Sequence, residues 1–341
     1  MKNNITFKKI VAILLTMLIV LSACSGKPAS TGDEVFDTAN SAVNAQLKLF
    51  EAKGKLLSNS DSFPAGTSVC DWTAMAFSIM GVDEDYDAYL SSLESYVTKR
   101  YASEGGLHRS KATEWHRIAL TVMALGGNPE SFGTDANGNS VNLIADGTYN
   151  FGGEDIGAQG NNAYIYALIT LDAGNFTVPN SARYSREYLI NALLKNQEED
   201  GGFGIMKGKS DVDITAMAIQ ALAPYSGQSE VYTAIDKALS MLSAAQNDDG
   251  SFTNWDNVSS ESCSQVIIAL CSLGLDPKTD ERFVKNGNSV FDALMSFRLS
   301  DGSFSHNLDS KESDAIATEQ AILALCSMIK ARDGKRLYDF T

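Results

Sequence analysis

A short loop recurs along the second half of the chain at nearly constant spacing, and this repeat constrains the fold more than any other feature. The loop reads Asp-Gly-Gly-Phe from Asp200 and Asp-Gly-Ser-Phe from Asp249 and Asp301, so successive copies are 49 and 52 residues apart. Weaker copies begin at Asp61, Glu104 and Asp146. Six copies at intervals of 42 to 54 residues indicate a repeat architecture in which one supersecondary unit is stacked several times.

The segments that follow the loops predict one buried helix in each repeat. Each segment is rich in Ala and branched aliphatic residues and is apolar around most of its circumference, as expected of a helix that is covered on both sides. These predicted inner helices span Asp71–Gly81, Glu114–Gly126, Asn161–Ala173, Asp213–Ala223, Glu261–Gly274 and Asp314–Ile329.

A second, more amphipathic segment precedes most loops and predicts an outer helix. The clearest examples span Asp85–Tyr101, Arg183–Gln197, Glu230–Gln246 and Ser289–Arg298. The third outer helix, near Val141–Ala145, is predicted to be short and to lie in an irregular excursion over Glu130–Gly160. The pattern therefore predicts an all-α fold of six inner and six outer helices that closes into a ring.

The loops also resemble a known family. Gln197-x-x-Asp200-Gly-Gly-Phe and Gln246-x-x-Asp249-Gly-Ser-Phe are similar to the prenyltransferase and squalene oxidase repeat of the terpenoid cyclases and protein prenyltransferases, whose fold is the α/α toroid. The resemblance covers about residues 35–330. The segments Glu261–Val266 and Ala317–Ala321 are similar to secreted bacterial relatives of the cobalamin-carrier toroid. Because this fold serves both enzymes and carriers, the resemblance implies the fold more strongly than an activity.

The beginning of the chain has the pattern of an export signal. Three lysines precede an apolar run over residues 10–21, which is too short to span a bilayer as a mature helix. Leu21-Ser22-Ala23-Cys24 then matches the bacterial lipobox, in which the cysteine is acylated. We therefore predict a signal peptide over 1–23, a lipid-anchored tether over 24–34 and a toroid domain over 35–341. Lipid on Cys24 would hold the protein at the extracytoplasmic face of the cell membrane.

The charge of the chain limits its partners. The net charge is −15, and removal of the three leader lysines makes it −18. So acidic a surface repels nucleic acid and anionic lipid headgroups. We expect no nucleic-acid partner, and a neutral, cationic or metal-bearing small molecule or another surface protein instead.

An acid or amide stands near the first turn of every predicted inner helix. Such residues cap free N–H groups and oppose the helix dipole. In a closed ring, however, all six helix starts meet at one end and would surround an apolar funnel with polar groups and a few aromatic rings. The candidate ligand-binding rim residues are Asp71, Trp72, Glu114, Trp115, Asn161, Tyr164, Glu261 and Asp314, and Tyr166 is a further aromatic residue that could line the funnel.

One segment indicates a possible catalytic acid. Asp211-Val212-Asp213-Ile214-Thr215-Ala216 is similar to the Asp-x-Asp-Asp-Thr-Ala motif of class II terpene cyclases, in which the central Asp protonates an alkene or epoxide. The resemblance implies Asp213 as general acid, with Asp211 beside it. The last Asp of the motif is replaced here by Ile214, so the acid lacks the partner that tunes it in that family.

The other branches of the superfamily fit less well. Protein prenyltransferases hold zinc with Asp, Cys and His. Glu261-Ser262-Cys263 resembles part of that set, but Ala317 stands where the His would fall, and we expect no metal and no cofactor. The three histidines are expected at the surface or rim, and the four cysteines after Cys24 in the core. A toroidal glycosidase that uses two rim acids stays conceivable.

These features favour a binding protein over an enzyme. We expect a membrane-anchored extracellular toroid that binds a bulky apolar or amphipathic ligand, corrinoid-like or isoprenoid-like, or a surface partner. The alternative is an enzyme similar to the terpenoid cyclases and prenyltransferases that uses Asp213 as its general acid.

Overall fold

The protein is described by a computed structural model over residues 31–51, 54–153, 155–254 and 257–341. The predicted signal peptide and Cys24 lie outside these residues. Within these ranges the chain forms eleven α-helices and two short hairpins. In chain order the helices are α1 (Glu34–Leu49), α2 (Ser68–Met80), α3 (Tyr86–Glu104), α4 (Thr113–Ala124), α5 (Asn161–Ala173), α6 (Arg186–Asn196), α7 (Val212–Leu222), α8 (Ser229–Ala245), α9 (Ser260–Ser272), α10 (Val290–Ser296) and α11 (Ala315–Ala331).

Six of these helices form a closed inner ring. Helices α2, α4, α5, α7, α9 and α11 pack each against the next, and α11 returns to α2. Their sequences explain why they are inside, because most of their side chains are apolar and buried. The prediction of an all-α toroid with six inner helices is confirmed. Each predicted inner helix begins and ends within a few residues of its observed bounds.

The outer layer follows the prediction, with one reduced member. Helices α6, α8 and α10 pack on α5, α7 and α9, and α1 packs on α11. The third outer position holds only a π-helical turn, Ala145–Tyr149, which packs on α4. The excursion around this turn is irregular, as predicted, with one isolated β-bridge between Thr134 and Ser140. The two hairpins are antiparallel and pair β1 (Thr253–Asn254) with β2 (Asn257–Val258), and β3 (Val284–Lys285) with β4 (Asn288–Ser289).

The recurring loops fasten each repeat to the next outer helix. Gln246 Nε2 donates to the carbonyl of Gly250 in its own loop (2.9 Å) and to that of Phe283 in the following repeat (3.0 Å). Gln197 makes the equivalent pair of bonds to Gly201 and Ala234, both at 2.8 Å. The Phe of each loop, at 203, 252 and 304, is fully buried. The Asp-Gly loops are therefore structural joints between neighbouring repeats.

The first outer helix closes the ring. Helix α1 precedes every inner helix in the chain but packs on the last of them, α11. Gln46 of α1 donates to Thr73 Oγ1 of α2 (3.1 Å) and to the carbonyl of Ala315 at the start of α11 (2.9 Å). A partly exposed ion pair joins Asp33, directly before α1, to Arg332, directly after α11.

The cysteines after Cys24 lie in the core, as predicted. Cys70, Cys263, Cys271 and Cys326 are all free and buried. The expectation for the histidines is wrong for His116, which is fully buried with Nε2 2.7 Å from the carbonyl oxygen of Gly147. Of the helices described, none is long and apolar enough to cross a bilayer.

Candidate functional site at one end of the helix ring

A small cavity of about 100 Å³ lies on the axis of the ring. Its wall comes from the first half of α2, α5, α9 and α11 and from the segment after α11. We call this cavity the lumen and define it by Trp72, Tyr166, Gln265, Glu319, Gln320 and Tyr338. We call the end of the ring at which the inner helices begin the mouth.

Three aromatic rings form one side of the lumen. The ring centroid of Trp72 lies 5.9 Å from that of Tyr166 and 6.4 Å from that of Tyr338, with tilted planes. The hydroxyl of Tyr166 lies 3.4 Å from the sulfur of Met217 on α7, which orients the ring. These side chains come from three separate parts of the chain, so only the closed ring brings them together.

The segment after α11 closes the end of the ring opposite the mouth. The backbone N–H of Phe340 donates to the carbonyl of Ala173 at the end of α5 (3.0 Å). Lys330 Nζ donates to the carbonyls of Leu337 and Asp339, which hold the segment against α11. Tyr338 is thereby placed between the lumen and the ends of α5 and α7.

The lumen contains a buried carboxyl group without a counter-ion. Glu319, on α11, is only 3% exposed, and its Oε2 has no hydrogen-bond partner among the described residues. Burial raises the pKa of Glu319 well above its usual range, and the nearby charge of Glu261 raises it further. An acid in such surroundings takes up a proton when no cation accompanies it.

Two more carboxylates stand at the mouth, one helical turn before side chains of the lumen or its wall. Asp213 precedes Met217 by four residues on α7, and Glu261 precedes Gln265 by four residues on α9. Residues four apart lie on the same face of a helix, so both acids face the axis of the ring. Glu261 accepts a hydrogen bond from Ser260 Oγ and lies 2.8 Å from Nδ1 of the exposed His306. That contact raises the pKa of His306 above its ordinary value.

Asp213 has the features of an acid that is neutral over part of the physiological range. Burial raises the pKa of Asp213 to about 6; hydrogen bonds from Ser262 and Asn254 oppose this rise and the charges of Asp211 and Glu261 add to it. Asn254 Nδ2 donates to Oδ2 at 3.1 Å, whereas Oδ1 is buried with no hydrogen-bond partner among the described residues.

Asp211 has a different role from Asp213. Its Oδ1 accepts the backbone N–H groups of Asp213 (2.9 Å) and Ile214 (3.0 Å), so it is the N-cap of α7. Thr215 of the same motif is also structural, because its hydroxyl accepts the N–H of Phe203 and donates to the carbonyl of that residue. The motif therefore supplies one acid, Asp213, and not a catalytic pair.

Several predicted rim residues stand at the mouth end of their helices but do not face the axis of the ring. Asp71 is fully buried and accepts hydrogen bonds from Tyr89 (2.7 Å), Arg117 (2.9 Å) and the N–H of Gly66 (2.9 Å). Glu114 pairs with the same Arg117 at 2.8 Å. Trp115 is buried in the seam beside α3, where its Nε1 donates to the hydroxyl of Tyr101 (2.7 Å). The prediction places these groups on the rim, but their partners are in the interfaces between repeats.

Of the other predicted rim residues, some have structural roles and some line the lumen or stand above it. Asn161 is buried and donates to the carbonyl of Gly204 (2.8 Å). Tyr164 points to the outside, with its hydroxyl 3.2 Å from Asp155. Asp314 is the N-cap of α11 and accepts two backbone N–H groups at 2.8 Å. Of the predicted aromatic residues, Trp72 and Tyr166 line the lumen, and Glu261 stands at the mouth above it.

The site residues predicted from the sequence do not include Glu319, Gln265, Gln320 or Tyr338, nor the contact of His306 with Glu261. The sequence does contain a signal for Glu319, because it is the one charged residue among the buried positions of α11. The glutamines form a ladder: Gln220 Nε2 donates to Gln265 Oε1 (3.0 Å), and Gln265 Nε2 donates to Gln320 Oε1 (3.1 Å). Gln265 and Gln320 occupy equivalent positions, two residues after Cys263 and Thr318, whereas Gln220 stands about one turn further along α7.

Metal-binding side chains do not gather anywhere in the part of the chain that the structure describes. No three His, Cys, Asp or Glu side chains in these residues come together in a way that would hold an ion. Cys263, the residue that resembled a zinc ligand, is fully buried, and burial raises the pKa of its thiol above the ordinary range. Its thiol accepts a hydrogen bond from the N–H of Phe252, as the hydroxyl of Thr215 accepts one from the N–H of Phe203.

Known structures share the architecture at low sequence identity. The type II terpene cyclase MstE from Scytonema, in complex with geranylgeranyl dihydroxybenzoate, is 14% identical, with a TM-score of 0.53 over 88% of this chain and 98% of that one. An unsaturated glucuronyl hydrolase from Bacillus sp. GL1 is 11% identical, with a TM-score of 0.53 over 84% and 96%. An ent-copalyl diphosphate synthase from Streptomyces platensis is 19% identical, with a TM-score of 0.44 over 75% of this chain, which spans only 50% of that protein.

The likeness to MstE and to the glucuronyl hydrolase concerns the fold. No curated protein matches the chain in sequence. A family model, that of the prenyltransferase alpha-alpha toroid domain, matches residues 162–340, more than half of the chain. It covers the repeats in which the Asp-Gly loops are most regular. The chain therefore belongs to the prenyltransferase alpha-alpha toroid family.

Proposed function

We propose that this protein is a binding protein that holds an amphipathic ligand at the mouth of the ring, with one small group of the ligand in the lumen. The observation that carries this proposal is the lumen itself, which is lined by aromatic rings and a buried acid and lies below the carboxylates of the mouth. Aromatic walls with a few polar groups are typical of small-molecule sites.

The size of the lumen restricts what enters it. At about 100 Å³ it is smaller than the roughly 300–1,000 Å³ of ordinary ligand pockets. A corrinoid or a folded isoprenoid, the ligands that the sequence resemblance implies, would have to remain outside unless Tyr338 moved. A bulky part of a ligand would therefore rest on the mouth.

The surface beside the mouth is suited to the apolar part of such a ligand. Ile316, at the start of α11, is 51% exposed and also borders the lumen. Ile205 and Met206 are 45% and 60% exposed, and the carbonyl of Ile205 accepts the N–H of Asn161 at the start of α5. Large apolar side chains exposed together mark interaction surfaces in soluble domains.

The proposal includes attachment to the outer face of the cell membrane through Cys24. It is supported by the lipobox sequence that ends at this residue. Two measurements test it: Cys24→Ala should abolish labelling with radioactive palmitate and leave an uncleaved precursor. Undiminished labelling of the variant would contradict the anchor.

Native mass spectrometry tests the binding function. The mature protein, purified from membranes in mild detergent, should show a mass excess that disappears on denaturation. A Trp72→Ala variant, which removes one wall of the lumen, should lose that excess, whereas Trp115→Phe outside the lumen should keep it. A bare mass for the wild type, or the same excess in Trp72→Ala, would contradict a ligand in the lumen.

A second candidate function rests on Asp213. Its pKa of about 6 and its unpartnered oxygen are properties of a general acid that could protonate an alkene. We test it with squalene and with a shorter polyprenyl substrate. Binding alone predicts that both return unchanged. A cyclised product from the wild type that Asp213→Asn fails to form would replace the binding function by catalysis.

A further inference from the structure

Glu319 is the strongest unexplained feature of the molecule. A carboxyl group that is 3% exposed and leaves Oε2 without a partner destabilises the fold, because no protein donor among the described residues compensates for its burial. The nearby charge of a second acid, Glu261, repels an ionised Glu319, so a positive charge in the lumen would be stabilised by both. A bound donor that is also a cation would satisfy both the oxygen and the charge.

The walls around Glu319 are suited to a cation. Trp72, Tyr166 and Tyr338 form the aromatic side of the lumen, and the faces of such rings attract ammonium groups. Gln265 and Gln320, which also line the lumen, are joined to each other by a hydrogen bond. The lumen thus offers one buried acid and several rings, a lining that is suited to a cation with a small apolar part.

The mouth favours the same charge. Asp213 and Glu261 stand on the axial faces of α7 and α9, one turn before the lumen wall. Carboxylates that line an entrance with apolar walls concentrate cations and repel anions.

We propose that the lumen binds a small organic ammonium group, which donates an N–H to the carboxyl group of Glu319 and packs its carbon atoms against Trp72, Tyr166 and Tyr338. A cavity of about 150 Å³ can hold benzene, so the lumen, at about 100 Å³, admits roughly four or five non-hydrogen atoms. This inference rests on the proposed binding function and names the chemistry of the group that enters the lumen.

The test compares two probes of equal size, n-propylammonium and 1-propanol, by isothermal titration calorimetry at neutral pH on the mature protein. Propylammonium should bind saturably, and propanol at least about tenfold more weakly. Glu319→Gln keeps the shape of the side chain but loses its charge, and should weaken propylammonium binding at least about tenfold. Trp72→Leu, which removes one ring, should also weaken it.

Asp146→Asn is the matched control, because Asp146 is a partly buried acid outside the lumen that bonds to Tyr101 (2.7 Å). It should bind propylammonium as the wild type does. Equal affinity for the two probes, no saturable binding up to about 10 mM, or unchanged binding by Glu319→Gln would overturn the ammonium site. If native mass spectrometry still finds a ligand that lacks an amine, only this inference falls. If the wild-type protein shows only the mass of its own chain, without a ligand, the binding function is contradicted as well.

Discussion

At the scale of the residue, Asp211 and Asp213 show how position decides the role of two identical side chains. Asp211 is the N-cap of α7 and accepts two backbone N–H groups. Asp213, two residues later, faces the axis of the ring, where burial raises its pKa to about 6. The first acid stabilises a helix end, and the second destabilises the fold whenever it is ionised.

Asp213→Asn should therefore stabilise the protein at high pH. The pKa of Asp213 is raised from 3.8 to about 6 on folding, so the folded state holds this proton more tightly. The destabilisation that ionised Asp213 causes is absent below about pH 4 and grows as the pH rises towards 6. It reaches roughly 2–3 kcal/mol above about pH 7. Urea denaturation should show that gain at about pH 8 and almost none at about pH 4.

Asp314→Asn is the control for this measurement. Asp314 is the N-cap of α11, and Asn caps a helix nearly as well as Asp. Its free energy of unfolding should change by less than about 0.5 kcal/mol at both pH values. Equal pH profiles for the Asp213 variant and the wild type would refute the raised pKa.

Arg117 illustrates a buried charge that cannot be removed alone. It binds Asp71, which is fully buried, and Glu114. Arg117→Met should lower the free energy of unfolding by roughly 3–5 kcal/mol, because Asp71 would stay buried without its counter-ion. The double variant with Asp71→Asn should recover part of this loss, as measured by the same denaturation. No recovery would mean that packing of the Arg stem, rather than charge, dominates.

At the scale of the element, the repeated loop acts as a joint because its glycine lies against the next repeat. Gly250 has a φ of +85°, and a Cβ there would come within 2.6 Å of the carbonyl oxygen of Ser289. Ser289 is the N-cap of α10, so the loop contacts the outer helix of the following unit where that helix begins. The glycine is needed for its backbone angle and for the space it leaves.

Gly250→Ala should destabilise the protein more than Gly287→Ala. Gly287 has nearly the same φ, +87°, but nothing lies within 4 Å of a Cβ at that position. We expect a loss of about 1 kcal/mol for Gly287→Ala from backbone strain alone, and a further 1–3 kcal/mol, roughly, for Gly250→Ala from the clash. Thermal unfolding of the two variants gives the difference. Equal losses would show that the joint tolerates displacement.

At the scale of the whole molecule, the ring is closed by packing and not by its surface ion pair. Helix α1 lies on α11, with Ala39 and Ala42 fully buried. The Asp33–Arg332 pair at the edge of this contact is partly exposed. Exposed pairs contribute little to stability, so the apolar contact should hold the first and last repeats together.

Two substitutions separate these contributions. Arg332→Ala should change the free energy of unfolding by less than about 1 kcal/mol, as is usual for exposed pairs. Ala42→Leu should cost roughly 1–3 kcal/mol, because a larger side chain does not fit between helices in close contact. Both are measured by urea denaturation. A larger loss for Arg332→Ala would show that the ion pair is what closes the ring.

Most of the fold follows from the sequence, for physical reasons. Burial of both sides of a helix requires an apolar circumference, and a turn of positive φ requires glycine, so the inner helices and their joints are visible in the residue pattern. The third outer helix shows the limit of this reasoning. Its sequence predicts a short helix near Val141–Ala145, and the chain forms a single π-helical turn at Ala145–Tyr149.

The candidate site depends on the tertiary structure. An acid at the start of an inner helix faces either the axis of the ring or the seam between repeats, and one residue, about 100° of rotation, decides which. Asp213 and Glu261 face the axis, whereas Asp71 pairs with Arg117 in a seam. By itself the sequence determined a ring of helix pairs and an acidic surface. Only closure of that ring decided which side chains meet, because Trp72, Tyr166, Glu319 and Tyr338 are far apart in the chain and adjacent only across the axis.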